Sequence, residues 1–377
     1  MPDTARTIHE KLLTSAAGLA RSITPDDEAV ANLITVLNQV DTEKFLSLAQ
    51  WHGLGLILYY LLKPTWAELK PGLRLSLQGI YLQHRDLSAA QSQTLAEIVS
   101  EAEDAGLDLL LLKGAALGPQ VYTPPVLRPM SDLDLLVRPE QVRLATEVLA
   151  IAGFNPPRLP YGRGQSIGQI NLPQIRREVN GQNVIVELHQ SLSMPRMPGR
   201  DNLDHLWSKP LSFELTPGGA RANTLAPEEM LWHLCNHLCE HAVYRVRLIW
   251  MLDIVLYAER YCDKLDWPSL EDDAPLVKNT LSLLDRIWPL SDKLRRWVKI
   301  HSGRQLTPDL RNWPIPWNSA LNELGAVPFL RGLFFPSAWW LRLYHGLGPS
   351  KTIWLHRWFL HPLHMTWRIC KHFSPMS

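Results

Sequence analysis

The sequence predicts an α+β fold in which a small mixed sheet is flanked by N- and C-terminal helical regions. Three observations support this: apolar residues recur at helical spacing before residue 106, the period changes between residues 107 and 192, and helical spacing returns from about Ala226. We therefore expect an N-terminal helical region over 1–105, an α/β core over 106–192 and a C-terminal helical domain over 193–377.

The composition is that of an ordinary globular protein with a large core. The 377 residues are 46% hydrophobic and 20% charged, and the formal net charge is +1, which argues against coating nucleic acid by bulk electrostatics. Four irregularly spaced cysteines argue against a secreted disulfide framework, so we expect a cytoplasmic protein. The N-terminus lacks an apolar signal region, and no apolar run reaches the roughly 18 residues of a spanning helix, so no transmembrane segment is expected.

The N-terminal region carries helical signals throughout. Between Glu28 and about Leu62 the apolar residues recur at steps of three and four. A segment without proline then runs from Leu73 to Gly106, which predicts one or two long helices with a glycine stop.

The predicted core alternates strands and helices. The run LDLLLLKG, residues 107–114, predicts a buried strand followed directly by a helix, and SDLDLLV, 131–137, predicts a second strand. The segment PEQVRLATEVLAIAGF predicts an amphipathic helix that stops at Gly153. IGQINLPQIRREV and NVIVELHQSL flank NGQ, an Asn-Gly turn typical of a β-hairpin.

The C-terminal part is helical by its pattern. The first helix begins near Pro227 with two glutamates in its first turn, and further helical blocks lie near 269–297 and from Pro336 to the end.

Acidic residues mark two of the predicted strands. Asp132 and Asp134 are two residues apart, so they project from one face of a strand. Two close carboxylates repel each other unless a cation lies between them, and Mg²⁺ takes such ligands. Glu187, on the hairpin strand VIVELHQ, offers a third carboxylate, with His189 on the same face. If the two strands are neighbours, the three acids can hold two metal ions.

Cations and a glycine lie near the aspartates. Lys113 and Gly114 occupy a strand-to-helix transition, where free N–H groups at the helix start can receive phosphate. Arg128 and Lys113 are the nearest cations for a triphosphate.

With these residues in order, the segment from LLLKGAALG to VIVELHQ resembles the nucleotidyltransferase superfamily typified by DNA polymerase beta and the aminoglycoside nucleotidyltransferases. More narrowly, it resembles a bacterial family of uncharacterised nucleotidyltransferases, with RLIWMLDI and LFFPSAWWLRLYHG as further similar segments, so the likeness covers most of the chain. Gly114, the Asp132 and Asp134 pair, and Glu187 match the superfamily pattern in order. Ala115 departs from it, since the superfamily usually has Ser or Gly there.

The resemblance implies an enzyme that transfers NMP from an NTP such as ATP to a hydroxyl-bearing acceptor and releases pyrophosphate, with Mg²⁺ or Mn²⁺ as cofactor. The cleft between the core and the C-terminal domain would hold both substrates. The acceptor could be a small molecule, a peptide or protein, or RNA, and neither it nor the oligomeric state follows from the sequence. Three roles are implied: catalysis and metal binding, nucleotide binding, and substrate lining. Catalysis and metal binding fall to Asp132, Asp134 and Glu187. Nucleotide binding falls to Lys113, Gly114, Ala115, Arg128 and Ser131. Substrate lining falls to His189.

Two other functions are compatible with the same residues. One is a catalytically inactive nucleotide-binding adaptor of a peptide-modification or toxin–antitoxin system. The other is a metal-dependent hydrolase that uses the carboxylates on water. Glu187 could also simply face water at a sheet edge, and His189 could orient Glu187, contact substrate or have no chemical role.

Two further patterns lie outside the core. His233, His237 and His241 are four residues apart, a zinc-compatible spacing, but they lack the H-E-x-x-H motif, so a packed helix face is the preferred interpretation. The last 47 residues, Arg331 to Ser377, contain six Lys and Arg, no acid and five tryptophans. Such a tail could stack on single-stranded bases or rest on an anionic membrane; the preferred interpretation is that its tryptophans anchor it to the protein body.

Overall fold

The computed structural model describes residues 5–21, 26–156, 173–192, 204–241, 246–273, 275–300, 325–349 and 351–373. The chain divides into two units, Met1–His233 and Leu234–Ser377. The fold is α+β, as the sequence predicts, with helices on either side of a mixed sheet along the chain.

The first unit begins with helices. Asp26 and Asp41 cap the second and third of them, each accepting a hydrogen bond from a first-turn backbone N–H. The predicted long segment is one helix of 34 residues that starts at Pro71 and ends before Gly106, whose φ is +66°. The bounds are α1 Ala5–Leu19, α2 Asp27–Leu37, α3 Thr42–Trp51, α4 Gly55–Leu62, a 3₁₀ turn Lys63–Glu68, and α5 Pro71–Asp104.

The sheet follows these helices. Its elements are β1 Leu109–Leu111, α6 Lys113–Val121, a 3₁₀ turn Pro125–Leu127, β2 Leu133–Val137, a 3₁₀ turn Pro139–Gln141, α7 Val142–Ile151, β3 Ile175–Val179, β4 Gln182–His189, α8 Asp204–Ser208, β5 Leu211–Glu214 and β6 Arg221–Thr224. The strand order is β3-β4-β2-β1-β6-β5, with β2 parallel to β4 and antiparallel to β1. Every residue of β2 is buried, as expected for a central strand.

The predicted hairpin is present between β3 and β4. Asn180 and Gly181 both have positive φ, 51° and 74°, as a two-residue turn between twisted strands requires. Val179 therefore pairs with Gln182, and the register runs back to Ile175 opposite Val186.

The sheet extends beyond residue 192, where the sequence analysis ended the α/β core. β5 and β6 lie in the segment that the sequence analysis assigned to the C-terminal helical domain, and β6 pairs in parallel with β1 through Leu111 and Thr224. The Thr224 hydroxyl also donates to the Leu111 carbonyl oxygen at 2.6 Å. Each strand has only four residues, too few for a clear alternating pattern, and the pairing of β6 with β1 depends on residues more than 100 positions away.

The second unit is helical in its described residues. Helix α9, Pro227–His241, crosses the boundary between the units. The elements that follow it are α10 Leu248–Arg260, α11 Trp267–Asp273, α12 Pro275–Leu284, α13 Asp292–Val298, α14 Ala326–Phe334, α15 Ala338–Tyr344, a π-helix His356–Leu360 and α16 His361–Phe373. All four cysteines are free thiols, and only Cys370 is exposed.

No single helix in the described ranges has both the length and the apolar composition of a membrane span. One pair of helical segments, Thr42–Trp51 with Gly55–Glu68, meets both criteria together, but it is bent by 118°.

Candidate active site

Parallel pairing of β2 with β4 brings two of the predicted acids together. Asp134 and Glu187 are partners in the register of the two strands. One ligand atom from each of Asp134, Glu187 and His189 lies within 4.8 Å of the other two, a spacing that suits a metal ion. Within the part of the chain that the structure describes, this is the cluster of His, Cys, Asp and Glu with that geometry. Among the described residues of α9, the histidines form no such cluster, and a packed helix face remains the preferred interpretation of their spacing.

Asp134 is the buried centre of the site. Lys113 Nζ donates to its Oδ1 at 2.7 Å, and His189 Nε2 is also 2.7 Å from Oδ1. An ionised carboxylate only accepts hydrogen bonds, so His189 carries its proton on Nε2. Burial alone would raise the pKa of Asp134, but Lys113 and His189 outweigh it and hold that pKa well below its usual range. Asp134 is therefore ionised, and its Oδ2 is the oxygen that these two bonds leave for another ligand.

Asp132 lies just before β2, outside the group of three ligand atoms. Ser131 Oγ donates to Asp132 Oδ1 at 2.9 Å, and Gln174 Nε2 approaches Oδ2 at 3.4 Å. Burial raises the pKa of Asp132, and repulsion from Asp134 raises it further. The two aspartates thus stand in different environments although only Leu133 separates them.

The pKa of Glu187, like that of Asp132, is raised above its usual value. Burial raises its pKa, the nearby His189 opposes that shift, and the negative charges of both aspartates reinforce it. His189 Nε2 lies 3.7 Å from Glu187 Oε2, longer than a hydrogen bond. Three carboxylates thus repel one another in a largely buried site.

This donor set fits a divalent cation. The oxygens of Asp134 and Glu187, the two carboxylates of the group, are hard ligands of the kind that Mg²⁺ and Mn²⁺ prefer. A cation beside them would also relieve the repulsion that raises the pKa of Asp132 and of Glu187.

Lys113 reaches Asp134 from an unusual backbone conformation. It is the first residue of α6, directly after the extended Leu112, and its φ is +43°. The left-handed region costs a residue with a Cβ about 1 kcal/mol. Strain of this kind concentrates at functional sites, where the surrounding structure maintains it.

Gly114 permits a close approach at the start of α6. A Cβ on this residue would lie 2.7 Å from Met130 Cγ and 3.5 Å from Arg128 Nη1. The loop before Asp132 therefore packs directly against the helix start. Arg128 is buried, and its Nη1 donates to the Pro129 carbonyl at 2.6 Å. Ala115 is also buried, so only its backbone N–H, in the first turn of a helix, suits an anion.

Two glutamines outside the predicted site support the aspartates. Gln91 of α5 is buried and donates to the Met130 carbonyl at 3.1 Å, which anchors the loop before Asp132. Gln174 approaches Asp132 itself. The Asn-Gly turn could have revealed Gln174, because extending its register by one residue beyond Ile175 and Val186 places Gln174 opposite Glu187.

A cavity of about 450 Å³ lies away from these residues. Leu109, Arg138, Trp207 and Asn223 are among its lining residues, and none of the predicted site residues lines it. We therefore place the candidate active site by its chemistry rather than by cavity size.

Comparison with known families agrees with this chemistry. The family model described as uncharacterised nucleotidyltransferase matches residues 38–284, which include all six strands and the acidic cluster. The chain belongs to this family and is a nucleotidyltransferase. None of the curated proteins matches the chain.

Proposed function

We propose that this nucleotidyltransferase transfers NMP from an NTP, with ATP as the first candidate, to a hydroxyl-bearing acceptor and releases pyrophosphate. The observation that carries the proposal is the pairing of Asp134 with Glu187 across β2 and β4, next to the Lys113–Gly114 helix start. It combines a carboxylate cluster with a group of backbone donors suited to phosphate.

We assign Mg²⁺ or Mn²⁺ as the cofactor and Asp132, Asp134 and Glu187 as its ligands. When bound, the metal would supply positive charge to the phosphates and favour attack by the acceptor oxygen. His189 is a positioning residue in this proposal, because its Nε2–H bond to Asp134 Oδ1 orients the carboxylate.

The nucleotide phosphates are assigned to the start of α6 and the loop before β2. The Gly114 and Ala115 N–H groups lie in the first turn of a helix, where anions are favoured. Lys113, which neutralises Asp134 in this structure, and the buried Arg128 are the cations of the proposed phosphate pocket, and Ser131 borders it through its bond to Asp132.

The proposed reaction is a substitution at the α-phosphorus. The acceptor oxygen forms a bond to that phosphorus, the bond from it to the oxygen of the β-phosphate breaks, and pyrophosphate leaves. The acceptor's proton passes to a site carboxylate, which we assign as Glu187.

The catalytic core is proposed to be 106–192 with flanking helical regions, and the compartment to be the cytoplasm.

The proposal can be tested by label transfer. The protein is incubated with Mg²⁺ and each α-labelled NTP in a lysate of its host, and the labelled product is identified as a small molecule, a protein or RNA. The label should enter an adduct, whereas a γ-label should appear in pyrophosphate. EDTA and the Asp132→Asn variant should both abolish the adduct.

The same experiment separates the other functions. A hydrolase would release α-labelled NMP without an adduct. An inactive adaptor would bind NTP and leave it intact under every condition. Full adduct formation by Asp132→Asn would overturn the assignment of that residue.

A further inference from the structure

One side of the C-terminal helical segment, residues 354–373, is apolar and exposed. Two of the five tail tryptophans, Trp339 and Trp340, are buried, as the sequence analysis preferred, but the other three are exposed. Six large apolar side chains are each at least half exposed and form what we call the outer face: Trp354, Leu355, Trp358, Phe359, Leu363 and Trp367. Contiguous exposed apolar surface of this kind marks an interaction site.

The opposite side of the same segment is packed. Met365 is buried in a cluster with Phe329 and Leu333 of α14. The buried His361 donates from Nε2 to the Leu333 carbonyl at 2.9 Å. The segment is thus fixed to its own unit by one side, while the side chains of the outer face are exposed.

The π-helical turn aligns the outer face. Trp354 and Phe359 are five residues apart across this turn, and their ring centroids lie 5.4 Å from each other. Leu363 and Trp367 follow at steps of four, the spacing that keeps side chains on one side of an α-helix. The side chains of the outer face therefore form one row along the segment.

The charged residues of the C-terminal sequence that carries the outer face have a single sign. From Arg331 to Ser377 the sequence has six Lys and Arg and no acid. Arg331 and Lys351 are exposed, and the Arg357 guanidinium lies 6.0 Å from the centre of the Trp358 ring. Tryptophan, aliphatic side chains and cations together match the interface of an anionic bilayer, where indoles lie at headgroup level and cations meet lipid phosphates.

We propose that the outer face binds the surface of a bilayer containing anionic lipids. RNA is a poorer match, because Leu355 and Leu363 cannot stack on bases as the aromatic residues can. A bilayer accepts aliphatic side chains below the headgroups and attracts the cations beside them. The outer face lies beyond residue 284, where the nucleotidyltransferase family match ends, and it does not depend on the proposed reaction.

Vesicle binding by the full chain tests the proposal. Cosedimentation is measured with phosphatidylcholine vesicles with and without phosphatidylglycerol. We expect binding to the anionic vesicles, weaker binding without phosphatidylglycerol, and a loss of affinity of about tenfold for Leu363→Ser and for Trp358→Ser. Lys351→Gln should weaken binding to anionic vesicles by about fivefold.

Matched variants control for loss of an exposed apolar side chain. Leu75 is 70% exposed against 67% for Leu363, and Trp297 is 50% exposed against 52% for Trp358. Leu75→Ser and Trp297→Ser should bind vesicles like the wild type. Circular dichroism should show that all five variants are folded.

Three results would overturn the proposal. The first is no binding to anionic vesicles, or equal binding by the outer-face variants and the controls. The second is a dimer, measured by light scattering, that Leu363→Ser dissociates without changing vesicle binding; this would assign the outer face to a second copy of the chain. The third is binding to single-stranded RNA that Trp358→Ser and Lys351→Gln weaken while vesicle binding stays unchanged.

Discussion

Asp134 and Glu187 occupy partner positions on parallel strands, yet the pKa values of their carboxyl groups are shifted in opposite directions. The pKa of Asp134 is held low because Lys113 and His189 both donate to its Oδ1. Burial and neighbouring negative charge raise the pKa of Glu187. Environments that separate the pKa values of adjacent acids are typical of sites in which the two have different roles.

Asp134→Asn should reduce nucleotidyl transfer by at least about a hundredfold. Asparagine keeps the shape of the side chain but removes the charge that both Lys113 and the proposed metal require. The measurement is the initial rate of α-label transfer at saturating Mg²⁺. Asp86→Asn is the control, because Asp86 also pairs with a cation, Arg85, but on the protein surface. Transfer by Asp134→Asn at the rate of the control would exclude Asp134 from the reaction.

Glu187→Gln should stabilise the metal-free protein while abolishing transfer. Because the pKa of Glu187 is higher in the folded than in the unfolded protein, ionising this carboxyl group destabilises the fold. Glutamine carries no charge, so it removes this loss of stability at pH 7. We expect a gain of about 0.5–1 kcal/mol in the free energy of unfolding, measured by urea titration in EDTA. Mn²⁺ should then stabilise the wild type more than the variant.

Glu178→Gln provides the comparison for that measurement. Glu178 is exposed on the neighbouring strand β3, so its replacement should change stability by less than about 0.5 kcal/mol and leave the response to Mn²⁺ intact. A Glu187→Gln protein that is less stable than the wild type in EDTA would contradict the electrostatic account of the site.

The local elements of the core follow from the sequence because each has a short-range signal. The apolar run before Lys113, the helix that stops before Gly153 and the Asn-Gly turn at Asn180 depend on neighbouring residues only. The acids were predicted by the same means, since their spacing alone predicts that Asp132 and Asp134 project from one side of the chain.

Long-range pairing and side-chain direction do not follow from such signals. Nothing near Thr224 indicates that it joins β1, because its partner Leu111 lies 113 residues earlier. The bond from Lys113 to Asp134 depends on a positive φ that local propensity disfavours for lysine. The exposure of Trp358 and the burial of Trp340 depend on which side of each helix meets another helix.

Gly114→Ala should lower both stability and transfer. The new Cβ would lie 2.7 Å from Met130 Cγ. Met130 would have to move away, and this would shift the loop that carries Arg128. We expect a loss of about 1–2 kcal/mol in unfolding free energy and a higher KM for NTP. Adding Met130→Ala should restore part of the stability if the clash is the cause, which a double-mutant cycle measures.

Gly79→Ala is the matched control for that substitution. Gly79 lies inside α5, and a Cβ there would meet nothing within 4 Å. Alanine should therefore stabilise the protein by about 0.5–1 kcal/mol through its helix propensity. If Gly114→Ala were as stable as Gly79→Ala, the close approach of Met130 would not be the reason for a glycine at 114.

Glu97→Gln should reveal a pH-dependent link between α5 and the hairpin. Arg177 of β3 donates to Glu97 and also to the Ala152 carbonyl, and its hydrogen bond lowers the pKa of Glu97 below the usual 4.5. The ionised carboxylate therefore stabilises the fold above that pH, and its contribution is lost as the pH falls through the lowered pKa. Urea titrations should show the variant about 1 kcal/mol less stable at pH 7, with the gap closing in acid. Glu147→Gln, in the exposed Arg143 pair, should show a gap below about 0.5 kcal/mol throughout, and a gap for Glu97→Gln that persisted unchanged in acid would refute the ion-pair explanation.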